Sequence, residues 1–318
     1  VHFPTDLSLL WDSGRKCVDL IEGLLASGHA LPGWRKFKAW RRQLKNLQRR
    51  TSQIVYRGGP NKEARVKQAV REYLTVGQEI SIKVRQSLLE LCDLATCASR
   101  WETLAYFHTM LDKHLNLVER RLLNGETIPS PEKLVSIFEP HTEWIQKGKQ
   151  RPNVELGHKF LIATDQHQLI QDYRVLRQEA EVDQSIPVAD RLLGRYGAGS
   201  VASLSFDKGF TCEEDRQLLE LYIPEVVMPK RGKKNAAETE RESGKKFVAL
   251  RKQHSAVESE INSLEHHGLN RCLDVGLDGY LRYAGLGVMS YNLHVIGREL
   301  LARERSERSR GALRALAA

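Results

Sequence analysis

The strongest constraint on this fold is a change in the spacing of apolar residues near the middle of the chain. Before it, apolar residues recur every three to four positions through 62–92 and again through 99–123. This spacing places them on one face of a helix and predicts long amphipathic helices. Pro129-Ser-Pro131 is typical of a linker, and the pattern after it differs. We therefore predict an all-helical region over 14–128.

Beyond the linker, strand-like segments alternate with helical ones. Lys159–Thr164 and Leu169–Leu176 are joined by a short polar turn, which predicts a hairpin. Val201–Phe206 is typical of a buried strand, and Asp207 follows it directly. A final helix is predicted over 281–305, with a charged tail that frays. This alternation is typical of an α/β fold.

A long helix that ends at a glycine is predicted over 240–266. Its apolar face has members at helical spacing: Ala256, Val257, Ile261 and Leu264. Glu258 lies at the edge of that face, and Gly268 suits the left-handed conformation that closes a helix. Periodicity alone indicates an amphipathic surface helix. A functional interpretation of Glu258 requires a second carboxylate elsewhere.

The chain has a net charge of +9 and a pI of about 9.3. This excess favours a polyanionic partner, most simply nucleic acid, with an anionic membrane surface as the weaker alternative. Two segments concentrate the cations: the predicted helix over 34–53, with Arg35, Lys38, Arg41, Arg42, Lys45 and Arg49, and the loop over 229–234, with Lys230, Arg231 and Lys233. The helix has two interpretations. It is either a solvated face of a helical bundle or a face that follows DNA phosphates, with an affinity that falls steeply with salt.

The composition also indicates the cellular compartment in which the chain is expected. No apolar run approaches the roughly 20 residues that span a bilayer, and no charged-then-apolar signal peptide opens the chain. The five cysteines have no zinc-ligand spacing, and their odd number argues against a disulfide framework. We therefore expect a protein of the reducing cytoplasm that does not enter a membrane. We also expect Cys92 and Cys97 to be buried in helices.

Asp207 and Glu258 are the candidate catalytic residues. Carboxylates at strand ends in open α/β sheets commonly line the active crevice, and the helix that carries Glu258 could pack against such a sheet. Carboxylates arranged in this way hold two magnesium ions about 4 Å apart, which activate a nucleophilic oxygen and stabilise the leaving oxygen of a phosphodiester. Hard oxygen ligands suit Mg²⁺, and Mn²⁺ is the alternative ion.

Several sequence blocks are spread over most of the chain. In chain order they are the opening Val-His-Phe-Pro-Thr-Asp6-Leu-Ser-Leu-Leu-Trp-Asp12, Phe138-Glu-Pro-His-Thr-Glu-Trp-Ile145 with Lys147-Gly-Lys149, Ser205-Phe-Asp207-Lys-Gly-Phe210, Val227-Met-Pro-Lys-Arg-Gly-Lys233, His254-Ser-Ala-Val-Glu258 with His266-His-Gly-Leu-Asn-Arg-Cys272, and Tyr291-Asn-Leu-His294 with Gly297. Asp-Lys-Gly-Phe alone would be a weak signal, but the ordered set is specific. The set resembles the DDE-type transposases of insertion sequences.

The resemblance implies a ribonuclease H-like mixed sheet flanked by helices over 129–298, with the helical region as an insertion between the first two strands. It implies that Asp207 is the second catalytic aspartate and that Glu258 is the catalytic glutamate, both as Mg²⁺ ligands. His254 stands where related families have an arginine. It is therefore a candidate DNA contact, with a structural helix residue as the alternative. Glu265 stands where they have a lysine, which departs from the pattern.

The first catalytic aspartate of that family has no counterpart in this chain. The family places it on a strand shortly before the segment that residues 1–12 resemble, and Asp6, Asp12 and Asp165 lie elsewhere. We therefore expect residues 1–13 to be a remnant that follows the first strand, and 299–318 to be a charged tail. By this interpretation the chain is an N-terminally truncated transposase that is inactive as it stands.

The expected function is DNA transposition. An intact relative would cleave at terminal inverted repeats and join the freed 3′-OH to target DNA. It would work on double-stranded DNA as a homodimer or larger assembly, in the cytoplasm and associated with a bacterial-type nucleoid. Two alternatives remain open: a non-catalytic DNA-binding remnant of a mobile element, and a helical module that binds RNA or an acidic partner.

Overall fold

The computed structural model describes residues 4–91, 98–146 and 154–316. The chain divides into two compact units, a helical unit that ends at Thr142 and a second unit that begins at Glu143. No helix within the described ranges is long and apolar enough to cross a membrane. The expected burial of Cys92 and Cys97 and the sequence block at Lys147–Lys149 lie outside the described residues.

Four long helices form the first unit, as their apolar spacing predicts. They are α1 (Asp6–Ala26), α2 (Phe37–Tyr56), α3 (Lys62–Leu91) and α4 (Ala98–Leu122). Thr5 caps α1, because its hydroxyl accepts the Ser8 amide at 3.2 Å while its own amide donates to the Ser8 hydroxyl at 2.8 Å. This reciprocal capping satisfies two amides at the start of the helix.

One continuous apolar core joins the four helices. Two glycines allow the helices to approach closely. A Cβ at Gly14 would lie 2.7 Å from the Leu44 side chain, and a Cβ at Gly77 would lie 2.7 Å from the Leu115 side chain. A larger residue at either place would push two helices apart, so these glycines set the spacing of the bundle.

The second unit combines short strands with helices. Its strands are β1 (Glu143–Gln146), β2 (Val154–Gly157), β3 (Lys159–Thr164), β4 (Ile170–Leu176), β5 (Ser203–Ser205) and β6 (Glu225–Val227). Its helices are α5 (Ser185–Tyr196), α6 (Glu213–Glu220), α7 (Ala236–Ser243), α8 (Lys245–His254), α9 (Ala256–Leu264) and α10 (Gly276–Leu316). Strands β3 and β4 form the expected antiparallel hairpin, so that prediction is confirmed.

The predicted ribonuclease H-like mixed sheet is wrong for this chain. The structure is 65% helical, and its strands pair only two at a time, as two antiparallel sheets and one parallel sheet. A single mixed sheet requires a strand that hydrogen-bonds to both the β3–β4 hairpin and the β5–β6 pair. No strand among the described residues does so. Alternation of strands and helices along a sequence does not specify which strands share a ladder, and that is where the prediction failed.

The helix predicted over 240–266 is divided into α7, α8 and α9. Gly244, with φ −57° and ψ 134°, leaves the helical conformation between α7 and α8. Ser255 separates α8 from α9, and its hydroxyl donates to the Lys252 carbonyl at 2.7 Å. The wider turn after α9 ends at Gly268, whose φ of +107° agrees with the predicted helix stop.

Candidate functional site

Asp207 lies at a turn immediately after the β5–β6 pair. Strand β5 is shorter than the buried strand predicted over 201–206. Phe206 is nevertheless buried, and its amide donates to the Val227 carbonyl at 2.8 Å. The Asp207 carboxylate accepts the Lys208 amide at 2.7 Å and caps a short 3-10 turn. The backbone on both sides of Asp207 is therefore held in place while its side chain is exposed to solvent.

Glu258 lies in the first turn of α9, and its side chain is also exposed. A carboxylate in the first turn is favoured by the partial positive charge at a helix N-terminus. The neighbouring Glu260 is buried instead, and burial raises the pKa of its carboxyl. Of these two glutamates, Glu258 is therefore the one that a solvent-borne ligand can reach.

His254 is influenced by the charges of both carboxylates. It is half-buried at the C-terminal end of α8, and its imidazole donates a hydrogen bond to the Ser205 backbone at the end of β5. Burial lowers the pKa of His254, while the charges of Asp207 and Glu258 and the Ser205 hydrogen bond act to raise it. Such charge effects require proximity. Of the residues that the sequence singled out in this half of the chain, Asp207 and Glu258 thus both act electrostatically on His254.

The carboxylates are suited to magnesium in kind but are few in number. Asp207 and Glu258 present hard oxygen atoms, which Mg²⁺ prefers, and one or two protein carboxylates are common in Mg²⁺ sites that also hold water and phosphate. In the described part of the chain, no group of three or more histidine, cysteine, aspartate or glutamate side chains could hold a metal ion. The described residues thus supply carboxylates of the kind that Mg²⁺ prefers, but they do not form a preformed metal site of three or more such side chains.

A cavity of about 580 Å³ opens beside the turn that follows Asp207. Its cationic lining residues are Lys159, Lys208, Arg216, Lys230, Arg231 and Arg241, and its acidic lining residues are Glu181, Glu213 and Glu214. Cations therefore outnumber acids. The sequence singled out only Lys230 and Arg231, because the other cations come from separate elements and form no run along the chain.

The basic loop that follows β6 is only partly available to a ligand. The Lys230 ammonium donates to Glu238 at 2.8 Å, which raises the pKa of the lysine. The Lys230 amide donates to the buried carboxylate of Glu242 at 2.8 Å. Arg231 and Lys233 are exposed, and neither has an ion-pair partner within the described ranges. Two of the three predicted DNA contacts in this loop thus have free charges.

Two cations of α2 face α1 rather than solvent. Arg41 donates to Asp19 at 2.7 Å and to Glu22 at 2.6 Å, and these hydrogen bonds raise the pKa of the arginine. The Lys45 ammonium lies 4.9 Å from the centroid of the Trp11 ring, and burial lowers its pKa. Both side chains therefore contact α1 within the helical bundle. These contacts favour a structural role for Arg41 and Lys45 over binding to DNA phosphates.

The other cations of α2 form an exposed stripe. Lys38, Arg42 and Arg49 lie four and seven residues apart, which places them on one side of the helix, and Arg35 is exposed just before it. No ion pair involves them in the part of the chain that the structure describes. These four side chains have the geometry that the phosphate-tracking interpretation requires.

The second unit thus presents two exposed carboxylates whose charges act on the His254 imidazole, and it contains a cavity with an excess of cationic side chains. Comparisons of the chain with protein-family models, with curated proteins and with solved structures found no match. The chemistry of the site is therefore inferred from these residues and from the resemblance of the sequence blocks.

Proposed function

We propose that this chain carries two of the three catalytic carboxylates of an insertion-sequence transposase, a protein that cleaves double-stranded DNA at terminal inverted repeats and joins the freed strand to target DNA. The observation that carries the proposal is that Asp207 and Glu258 both present exposed carboxylates, and that the charges of both act on the imidazole of His254. Their sequence neighbourhoods resemble transposase blocks, and paired carboxylates are what metal-dependent phosphodiester chemistry requires. The proposal rests on these residues and not on a ribonuclease H-like sheet.

Asp207 and Glu258 would hold Mg²⁺, with Mn²⁺ as a substitute. The ion would stabilise negative charge on the oxygens of the reacting phosphodiester. His254 is a positioning residue in this proposal, because its hydrogen bond to Ser205 joins α8 to the end of β5. Burial favours the neutral imidazole, which suits this role better than a contact with a phosphate.

The DNA backbone would be bound by the free cations of each unit. These are Arg35, Lys38, Arg42 and Arg49 in the helical unit, and Lys208, Arg231 and Lys233 in the second unit. Each phosphate contact releases counterions, so affinity should fall steeply with salt. Since the reaction pairs two element ends, a homodimer or a larger assembly on DNA belongs to the same proposal.

The test is a nicking assay on the protein as its gene encodes it, because residues 1–318 lack the first catalytic aspartate that the resemblance implies, with a plasmid that carries the repeats flanking the coding sequence. We expect Mg²⁺-dependent nicking that Asp207→Asn and Glu258→Gln abolish without a change in DNA affinity. Mn²⁺ binding, followed by water-proton relaxation, should weaken in the same two variants. The matched controls Asp190→Asn and Glu265→Gln remove exposed carboxylates of the same unit and should retain both properties. Nicking that survives in Asp207→Asn or Glu258→Gln contradicts the assignment.

A non-catalytic DNA-binding remnant of a mobile element is the second candidate. It is favoured by the described residues, which contain no group of three or more histidine, cysteine, aspartate or glutamate side chains that could hold a metal ion. The same assay separates the candidates. A remnant would bind DNA with a strong salt dependence but would neither nick the plasmid nor bind Mn²⁺ at Asp207 and Glu258.

A further inference from the structure

Helix α10 has two apolar faces, and the first is buried. Its members are Ala284, Val288, Tyr291 and Val295, which recur at steps of four and three residues. Val288, Tyr291 and Val295 share an apolar cluster with Ile170 of the β3–β4 hairpin. The Asn292 side chain adds two hydrogen bonds to the Ile170 backbone, at 2.8 and 2.9 Å. This face therefore packs the helix against its own unit.

The second face, which we name the α10 seam, is exposed. Its members and their exposed fractions are Leu286 58%, Met289 53%, Leu293 60%, Ile296 44% and Leu300 59%. They recur at alternating steps of three and four residues, the spacing of a coiled-coil interface. At 3.6 residues per turn, the seam lies roughly 150° around the helix from the buried face. The hairpin that packs against the first face leaves these five side chains exposed.

The exposed apolar side chains of the α10 seam favour contact with an apolar partner. The five side chains extend along about 21 Å of helix, at 1.5 Å per residue. Contiguous exposed apolar patches on a protein surface mark interaction sites. A groove of about 380 Å³ between α10 and β4 includes Met289, Leu293 and Ile296 in its lining. The seam thus has both the spacing to pack against a helix and space beside it for the partner's side chains.

We propose that the α10 seam pairs with the same seam of a second copy of this chain, in antiparallel orientation. The charges at the two ends of the seam select this partner. Arg282 lies four residues before Leu286, and Glu304 lies four residues after Leu300. In an antiparallel pair centred on Leu293, Arg282 of one protomer faces the partner's Glu304, and two-fold symmetry forms this contact twice.

The opposite orientation is unfavourable. A parallel pair would place Arg282 against the same residue of the partner, and likewise Glu304, so like charges would meet at both ends of the seam. The existing partners of these residues do not prevent the antiparallel contact. Arg282 pairs with Asp274 at 3.2 Å and Glu304 pairs with Arg308 at 2.6 Å, and all four side chains are largely exposed. Exposed ion pairs contribute little and rearrange readily.

Self-association through the seam requires neither DNA nor metal, so it goes beyond the proposed function and is tested separately. Sedimentation velocity of the full chain without DNA, at tens of micromolar protein, should show a dimer. Leu293→Glu places two carboxylates together at the centre of the pair and should give a monomer with an unchanged far-ultraviolet circular dichroism spectrum. The control Leu221→Glu alters a side chain that is 73% exposed outside α10 and should leave the dimer intact.

The orientation is tested by a charge exchange. Arg282→Glu should weaken the dimer roughly tenfold, because two surface ion pairs are lost and repulsion replaces them. The double variant with Arg282→Glu and Glu304→Arg should restore dimer affinity, whereas a parallel pair would gain nothing. A monomeric wild-type chain overturns the proposal. A dimer that survives Leu293→Glu overturns it as well, and failure of the double variant to recover overturns the antiparallel arrangement.

Discussion

The two units of this chain use their apolar residues differently. The helical unit gathers them into one continuous core that includes all four helices. The second unit divides its buried residues among three smaller clusters and leaves the α10 seam exposed. The candidate chemistry lies in the second unit. The helical unit therefore buries its apolar residues in a shared core, whereas the second unit also keeps two carboxylates and an apolar face accessible to partners.

In both units, some cations of a basic segment contact other residues of the protein and others do not. In the helical unit, α1 pairs with Arg41 and positions Lys45, and the second unit pairs Lys230 with Glu238. In both units, neighbouring cations in the same segment remain free. A count of lysines and arginines therefore overstates the surface available to DNA, because part of each basic run neutralises the protein's own acids.

The contrast in packing should appear as a difference in stability loss. Leu111 and Leu219 are both buried, the first in the continuous core and the second in a small cluster. We expect Leu111→Ala to lower the free energy of unfolding by about 4 kcal/mol and Leu219→Ala by about 2 kcal/mol, because a larger cavity persists where the surroundings cannot collapse. Denaturant unfolding of the full chain measures both. Equal losses of unfolding free energy in the two variants would show that the two cores do not differ in how firmly they are packed.

The stability of the second unit should depend on the buried carboxylate of Glu242. Glu242 accepts the Lys234 ammonium at 2.5 Å and the Lys230 amide at 2.8 Å. Burial raises the pKa of Glu242, but these hydrogen bonds outweigh it, and the net pKa is lowered. Glu242→Gln should cost about 2 kcal/mol, the contribution of a charge-assisted hydrogen bond. The exposed Glu240→Gln serves as the control in the same denaturation experiment, and an equal effect from both would contradict a special role for Glu242.

The division of cations on α2 predicts a difference in DNA binding. Replacing Arg42 and Arg49 with glutamine should lower affinity for all sequences and reduce the slope of log affinity against log salt by about 2, one unit for each phosphate contact. Replacing Arg41 and Lys45 with glutamine removes the same charge but should leave the slope unchanged. Fluorescence anisotropy over a salt series measures both. Identical slopes of log affinity against log salt in the two double variants would favour the solvated-face interpretation for the whole of α2.

The smallest expected effect is a pH dependence of the helical unit. Burial lowers the pKa of His114 below its ordinary value of 6.5, against the weaker opposing effects of its hydrogen bond to the Met110 carbonyl and the charge of Asp6. The unfolded chain therefore binds the proton more readily than the folded chain. Stability should fall as the pH drops below 6.5 and should be independent of this group well above that value.

His114→Gln tests this effect, since it removes the titrating group in the core. The decline in stability below pH 6.5 should become shallower in the variant, as measured by denaturation at a series of pH values. A residual decline is expected, because burial also lowers the pKa of His254 in the second unit. An unchanged slope would show that His114 does not titrate differently in the folded and unfolded chains.

Local patterns in the sequence predicted the helices well and the sheet poorly. Helix α3 was predicted over 62–92 and lies over Lys62–Leu91, and the hairpin of β3 and β4 lies where its turn residues placed it. The helix predicted over 240–266 is interrupted at Gly244, a residue that could have signalled the break. The pairing of β1 with β2 was not anticipated, because partners in a strand ladder leave no mark in either strand alone.

The sequence by itself determined the helical unit, the hairpin and the choice of Asp207 and Glu258 as candidate catalytic residues. These follow from apolar spacing, turn chemistry and short blocks, all of which are local properties. Only the tertiary structure decided that the described strands pair two at a time, that the charges of Asp207 and Glu258 act on His254, and that α10 has a covered face and an open one. Each of these depends on which distant segment occupies the space beside a residue, and spacing along the chain does not encode that.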